Sequence, residues 1–203
     1  MKKKTLKALV AVLSVVLIVC LSVAGTLAYL KVTTAPVTNT FAPSNIALKL
    51  EETTGSTYKM VPGVAMDKNP TVTVSGDVDA YVFVEIVEAG SVTVSGTEYT
   101  LDDFLTYAIA AGWTVHTGTV DTNDSVSGNE TVVIYREVKV SDTTKTFSVL
   151  AENKVSTNAG VTKQMMNAYT DGSIKLTLTA YAIQQAGFAD VAAAWAAAQG
   201  QQG

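Results

Sequence analysis

Reactive and metal-binding side chains are scarce in this chain of 203 residues. It contains one cysteine, Cys20, one histidine, His116, and one arginine, Arg136. A lone cysteine excludes an intrachain disulfide and a cysteine-based zinc site, and a lone histidine excludes a two-histidine metal motif. A single guanidinium leaves little capacity for bidentate binding of phosphate or carboxylate groups. This inventory disfavours a hydrolase, and we expect neither a resident metal nor a cofactor.

The remaining candidates for catalysis have simpler interpretations. His116 falls in a strand pattern on the face opposite Val115, and we expect it to face solvent without a catalytic partner. Asp102 and Asp103 open a predicted helix, where carboxylates complement the helix dipole and cap the first turn. Residues 121–129 resemble a calcium loop but lack its glycine and its final glutamate. We interpret them as a hairpin tip, with weak calcium binding left open, and we predict that the protein is not an enzyme.

The N-terminus has the pattern of a secretory signal peptide. Four lysines within the first seven residues precede an apolar run over residues 8–24 and a group of small residues. Thr26 and Ala28 satisfy the need for small side chains before the cut, which predicts cleavage between Ala28 and Tyr29. The alternative is an uncleaved anchor, because the apolar run is close to membrane-spanning length.

Removal of residues 1–28 changes the charge of the chain. Cleavage would remove four of the 14 basic residues and none of the 18 acidic ones, which leaves a net charge of −8. Such an acidic protein is poorly suited to bind nucleic acid or an anionic membrane, so membrane contact is expected only through the uncleaved signal. Cys20 would leave with the signal, and the exported chain would then contain no thiol.

The rest of the chain divides into a leader and one domain. Residues 29–43 are rich in threonine, carry two prolines and predict an extended leader. Residues 44–203 are dominated by strand patterns, among them a strict alternation over residues 45–51, a run apolar on both faces over residues 80–88 and a second alternation over residues 174–180. Because strands and helices do not alternate regularly, the pattern predicts an all-β, antiparallel β-sandwich of about eight or nine strands.

Two short helices are predicted within this domain. Leu101, Phe104, Leu105, Ala108 and Ile109 recur at helical spacing after a capping box, and Gly112 is suited to end the helix. The alanine-rich residues 189–199 predict a C-terminal helix.

Several motifs near both ends of the chain occur together in one family. They lie at residues 25–30 (GTLAYL), 37–41 (VTNTF), 60–63 (MVPG), 68–74 (KNPTVTV), 79–84 (DAYVFV) and 178–184 (LTAYAIQ), followed by Phe188 and Trp195. In this combination the chain resembles the TasA/camelysin family, exported proteins of Gram-positive bacteria that are processed by a SipW-type signal peptidase. It departs from the family at Lys31-Val32, where relatives commonly carry an acidic residue.

The resemblance implies a fold and a function. It implies a jelly-roll-like β-sandwich that serves as a subunit of biofilm-matrix or cell-surface fibres, with other copies of itself and accessory matrix proteins as partners. In that family, the segment freed by cleavage inserts as a strand into the neighbouring subunit. The metalloprotease activity that has been ascribed to camelysin-type members is not expected, because the ligands for it are missing.

The leader is the predicted donor strand. An exposed sheet edge can accept another strand through backbone hydrogen bonds, while side chains of that strand fill pockets. Val32, Val37 and Phe41 are the candidate anchors, and the alternative is that the leader is only a loose segment before the first strand. Two other functions stay open, a monomeric cell-surface adhesin or binding module and, less favoured, a secreted hydrolase.

Overall fold

The computed structural model describes residues 3, 6–17, 45–55, 58–118 and 130–200. The chain divides into two compact units, Met1–Ala42 and Pro43–Gly203. In the first unit, residues 6–17 form a helix, α1, with exposed leucine and valine side chains. Within the described ranges, no helix is both long enough and apolar enough to cross a membrane.

The second unit is mostly β-structure, as predicted. Its strands are β1 (Ile46–Glu51), β2 (Ala65–Asp67), β3 (Thr71–Gly76), β4 (Ala80–Gly90), β5 (Val92–Val94), β6 (Thr97–Tyr99), β7 (Leu105–Thr106), β8 (Thr114–Thr117), β9 (Thr131–Val138), β10 (Thr146–Ser148), β11 (Lys154–Thr157) and β12 (Ile174–Gln184). Its helices are α2 (Leu101–Phe104), α3 (Lys163–Ala168), α4 (Val191–Gln199) and the 3₁₀ turn Ala151–Asn153.

The strands form four sheets in which every pairing is antiparallel, which confirms the predicted strand orientation. The strand orders are β1-β3-β10, β2-β11-β7, β12-β4-β9-β8 and β5-β6. β4, which contains the run apolar on both faces, pairs with β12 on one side and β9 on the other. Its side chains are largely buried on both faces, because a core lies on each side of this sheet.

The larger core is shared by several of the sheets. Val72 and Val74 of β3 belong to the same buried cluster as Val82, Val84 and Ile86 of β4. In β1 the predicted alternation is confirmed, with the three larger apolar side chains half-buried and the intervening residues exposed. Burial of this apolar surface is the main source of stability in a chain without disulfides.

A smaller core lies on the opposite face of the four-stranded sheet. The predicted C-terminal helix is confirmed as α4, and the Asp190 side chain caps it by accepting a hydrogen bond from the Ala193 N–H (2.8 Å). Trp195 packs against Phe83 and Tyr181, with ring centroids 5.1 and 5.0 Å apart. Apolar residues on α4 therefore cover the second face of β4.

The predicted helix over residues 101–109 is wrong beyond Phe104. Its capping box is present, with the Thr100 N–H donating to Asp103 Oδ2 (2.8 Å), but the next residues form β7 and pair with β11. Asn158, just after β11, donates its backbone N–H to the Phe104 carbonyl (2.8 Å) and its side-chain amide to the Asp102 carbonyl. These long-range bonds replace the hydrogen bonds of a second helical turn.

Candidate functional site

The residues predicted to guide export and assembly lie outside the described part of the chain. They are Thr26, Ala28 and Tyr29 at the cleavage site and Val32, Val37 and Phe41 in the leader. The loop over residues 121–129 lies outside it as well. Within the described ranges, no group of three or more histidine, cysteine or acidic side chains is placed to hold a metal ion.

His116 does not face solvent, and that prediction is wrong. Its half-buried imidazole contacts Phe83 and Tyr135 with ring centroids 6.1 Å apart, and Trp195 at 6.5 Å. Val115, on the opposite face, is the more exposed residue at 43%. The cause is α4, which covers the sheet face that the strand pattern alone assigns to water. His116 is thus part of the aromatic packing under this helix.

The described part of the chain contains a groove of about 420 Å³ beside the first residues of β12. Met60 and Met66 lie on one side, Leu105 and Tyr169 contribute further apolar surface, and Leu176 lies on β12. This volume is in the range of sites that bind small molecules or peptide side chains. Asp171, Lys175 and Thr177 line the groove too, so it places a surface of mixed polarity next to a sheet edge.

That edge belongs to a long strand with one partner. β12 has 11 residues and, among the residues that the structure describes, pairs only with β4. The opposite edge of the sheet, β8, has four residues and an irregular register between Val115 and Thr117. Short or bulged edges resist pairing with another chain, whereas a long regular edge is a template for it. β12 is therefore the longer and more regular of the two edges, and in the described ranges β1 lies near it without forming a ladder.

A polar cluster borders the groove at Tyr58 and Lys68. Lys68 Nζ lies 2.8 Å from Glu52 Oε2, and the Tyr58 hydroxyl donates to the same carboxylate. Burial alone would raise the pKa of Glu52, but the hydrogen bonds from Lys68 and Tyr58 outweigh it and leave the pKa lowered. Both lining side chains are thus held by Glu52, so the rim of the groove is ordered by a partly buried ion pair.

A buried carboxyl group lies behind the groove wall. Glu88 of β4 is 2% exposed, and its Oε1 accepts a hydrogen bond from the Tyr107 hydroxyl at 2.6 Å. Burial raises the pKa of Glu88 to about 8; the negative charges of Asp102 and Glu130 act in the same direction, and the hydrogen bond from Tyr107 opposes them. Glu88 therefore holds a proton at neutral pH, in contrast to an ordinary surface glutamate.

Asp102 and Asp103 do not act as a pair. Asp103 caps α2 as predicted, whereas the charge of Asp102 acts on Glu88. Residue type alone does not mark Glu88, because an acidic residue near the end of an apolar strand is normally exposed. Its position in the strand is the one available signal, since Glu88 continues the inward-facing series of Val84 and Ile86.

Sequence reasoning also missed the groove. Its walls include residues of β2, β7 and β11, which have only two to four residues each and show no periodic pattern. No family model, curated protein or solved structure matches this chain. Its function therefore has to be inferred from the groove, from the edge of β12 that has no paired strand in the described ranges, and from the sequence motifs.

Proposed function

We propose that this protein is a secreted structural protein, a subunit of biofilm-matrix or cell-surface fibres with a jelly-roll-like β-sandwich. The signal peptide directs export, and a SipW-type signal peptidase cuts before Tyr29. The freed leader of one subunit then adds as a strand to the next subunit. The resemblance to the TasA/camelysin family supports this assignment, and the observation that carries it is the groove beside the edge of β12, which pairs only with β4 among the residues that the structure describes.

The leader has the length and composition that this groove requires. Its 13 residues from Tyr29 to Phe41 can extend over about 45 Å, which exceeds the length of about 36 Å for an 11-residue strand such as β12. Lys31 is its one charged residue. Val37 and Phe41 share one face of an extended strand and supply apolar side chains for the groove, whereas Val32 reaches that face only if a bulge at Pro36, where no ladder hydrogen bond is needed, shifts the alternation.

The arrangement of donor and acceptor explains why a fibre results. The donor strand and the acceptor groove are different surfaces of the same subunit, so each addition leaves one unused donor and one unused acceptor. A heterologous contact of this kind continues into a filament unless its rotation closes a ring. Accessory matrix proteins with a similar groove or leader would start or end such filaments.

Disulfide trapping between two differently substituted subunits tests this proposal. The exported chain is expected to lack thiols, so one cysteine can be placed in each of two variants. One variant carries Val37→Cys in the leader, and the other carries Met66→Cys in the groove. When the exported proteins are mixed under mild oxidation, we expect a heterodimer on a non-reducing gel, identified by an affinity tag on one partner.

The matched control pairs Val37→Cys with Val140→Cys. Val140 is 46% exposed and does not line the groove. Heterodimer formation at Met66 no greater than at Val140 would refute strand addition at this groove. Electron microscopy of a variant without residues 29–41 is a second test, because filaments that are unchanged would contradict a donor role for the leader.

A further inference from the structure

The carboxyl group of Glu88 is connected to the groove through two short paths. Along the sheet, Glu88 is the register partner of Leu176, whose side chain lines the groove. Along the chain, the residue that donates to Glu88, Tyr107, lies two positions after Leu105, which lines the groove as well. Glu88 is therefore a close neighbour of two parts of the groove wall, Leu176 on β12 and Leu105 on β7.

A third connection runs through α2. Asp102 belongs to this helix, and Phe104 at its end contacts the ring of Tyr169, with centroids 6.0 Å apart. Tyr169 is another groove residue. Three elements thus surround Glu88: α2, β12 and the segment that follows β7. Each of them contributes to the groove wall or supports it.

Most of the influences on Glu88 favour its neutral form. They are burial, the carboxylate of Asp102 on α2 and the carboxylate of Glu130 just before β9, whereas the hydrogen bond from the buried Tyr107 hydroxyl favours the charged form. Loss of the proton would place a negative charge in a buried position beside two others. Such a charge is relieved when the surrounding structure opens to water.

We propose that the proton on Glu88 acts as a latch that holds the groove in its strand-binding form, so that subunit assembly is lost in alkaline solution. This inference rests on the proposed function, because it concerns regulation of the same groove. In the protonated state, the carboxyl group of Glu88 hydrogen-bonds to the side chain of Asp102 and so holds α2 and the segment that follows it against the sheet. In the ionised state, repulsion from Asp102 displaces α2 and the Leu105 wall, and the edge of β12 loses its apolar support.

The size of the effect follows from the population of the protonated form. Burial raises the pKa of Glu88 to about 8, so about one molecule in ten keeps the proton one pH unit higher. When only the protonated form binds, the apparent dissociation constant for strand addition rises about tenfold at that pH. Assembly should be insensitive to Glu88 well below its pKa.

The test measures polymer formation by the exported protein between about pH 6 and pH 9.5, by sedimentation of filaments. We expect wild-type polymer to decrease with a midpoint near the pKa of Glu88. Glu88→Gln should abolish this decrease, because the amide stays neutral and still accepts a hydrogen bond from Tyr107. Glu137→Gln, which removes an exposed carboxylate on β9, is the control and should behave as wild type.

Two further variants should move the midpoint in opposite directions. Asp102→Asn removes a negative charge that raises the pKa of Glu88, so the midpoint should fall. Tyr107→Phe removes the hydrogen bond that lowers this pKa, so the midpoint should rise. If these residues only supported the fold, both variants would weaken assembly, and the pH midpoints would not move in opposite directions.

The outcomes separate the latch from the proposed function. Wild-type polymer that stays constant over this pH range overturns the latch but leaves strand addition in place, as does a decrease that Glu88→Gln does not remove. If no polymer forms at any pH and no disulfide forms between leader and groove, strand addition is overturned, and the latch is overturned with it.

Discussion

Replacement of Glu88 with glutamine should make the protein more stable at neutral pH, although it alters a buried hydrogen-bonded residue. The unfolded glutamate has an ordinary pKa of 4.5, whereas burial raises the pKa in the folded protein to about 8. As the pH rises, the unfolded chain therefore releases this proton first. The contribution of Glu88 is fully present below about pH 4.5 and is lost as the pH rises to about 8.

The size of this stability difference follows from the gap between the pKa of Glu88 in the unfolded chain and its pKa in the folded protein. Each pH unit above the unfolded pKa costs about 1.4 kcal/mol until the folded group ionises. At pH 7 the cost is about 3 kcal/mol, and above pH 8 it levels off near about 5 kcal/mol. A domain of this size has a total stability of about 5–15 kcal/mol, so the effect is large enough to measure. Glutamine carries no such cost and retains an oxygen that can accept from Tyr107.

Urea unfolding at about pH 4, 5.5, 7 and 8.5 checks this prediction. The free energies of unfolding of wild type and Glu88→Gln should be similar at the lowest pH and separate steadily as the pH rises, with the variant more stable. Comparison with Glu137→Gln removes the general effect of deleting one negative charge. Parallel stability curves for wild type and Glu88→Gln would show that Glu88 is ionised in the folded protein, and the reasoning would be refuted.

Two further predictions concern aromatic packing. Trp195→Ala should destabilise the protein by about 3–5 kcal/mol, because it removes the ring that joins α4 to Phe83, and tryptophan fluorescence or calorimetry would measure the loss. Arg136→Lys should cost about 1–2 kcal/mol, because the guanidinium lies over the rings of Trp113 (5.2 Å) and Phe147 (3.9 Å), and an ammonium group stacks less well. Arg136→Met, which keeps length but not charge, is the control, and equal stability of all three proteins would contradict the stacking argument.

Periodic patterns in the sequence predicted the longer strands correctly. β1, β4 and β12 were identified by alternation or by continuous hydrophobicity, and these signals are strong because they extend over six to eleven residues. The turn before β2 is local as well, since Gly63 has a positive φ of +74°, which glycine adopts readily. The local sequence was therefore sufficient to predict an element where the strand is long or the turn requires a particular residue.

Elements that depend on distant partners were not predictable in the same way. Leu105 and Ile109 have helical spacing, but β11 and Leu150 pair with them and convert the segment to extended structure. The helix signal there was only a few residues long, so a small number of long-range hydrogen bonds outweighed it. The same limitation hid β2 and β11, whose two or three pairs form only after the chain has folded.

The features of the candidate site also fall into those set by the sequence and those set by the tertiary structure. Composition and order of residues determined the scarcity of catalytic side chains, the signal-like N-terminus, the threonine-rich leader and the preference for antiparallel β-structure, because each depends on residue type or on contacts between near neighbours. Tertiary structure alone decided that Glu88 is buried beside Asp102, that His116 lies under α4 and that a groove borders β12. Charge proximity and cavity shape arise between segments far apart in the chain, and the local pattern indicates only that Glu88 lies on the inward-facing side of its strand.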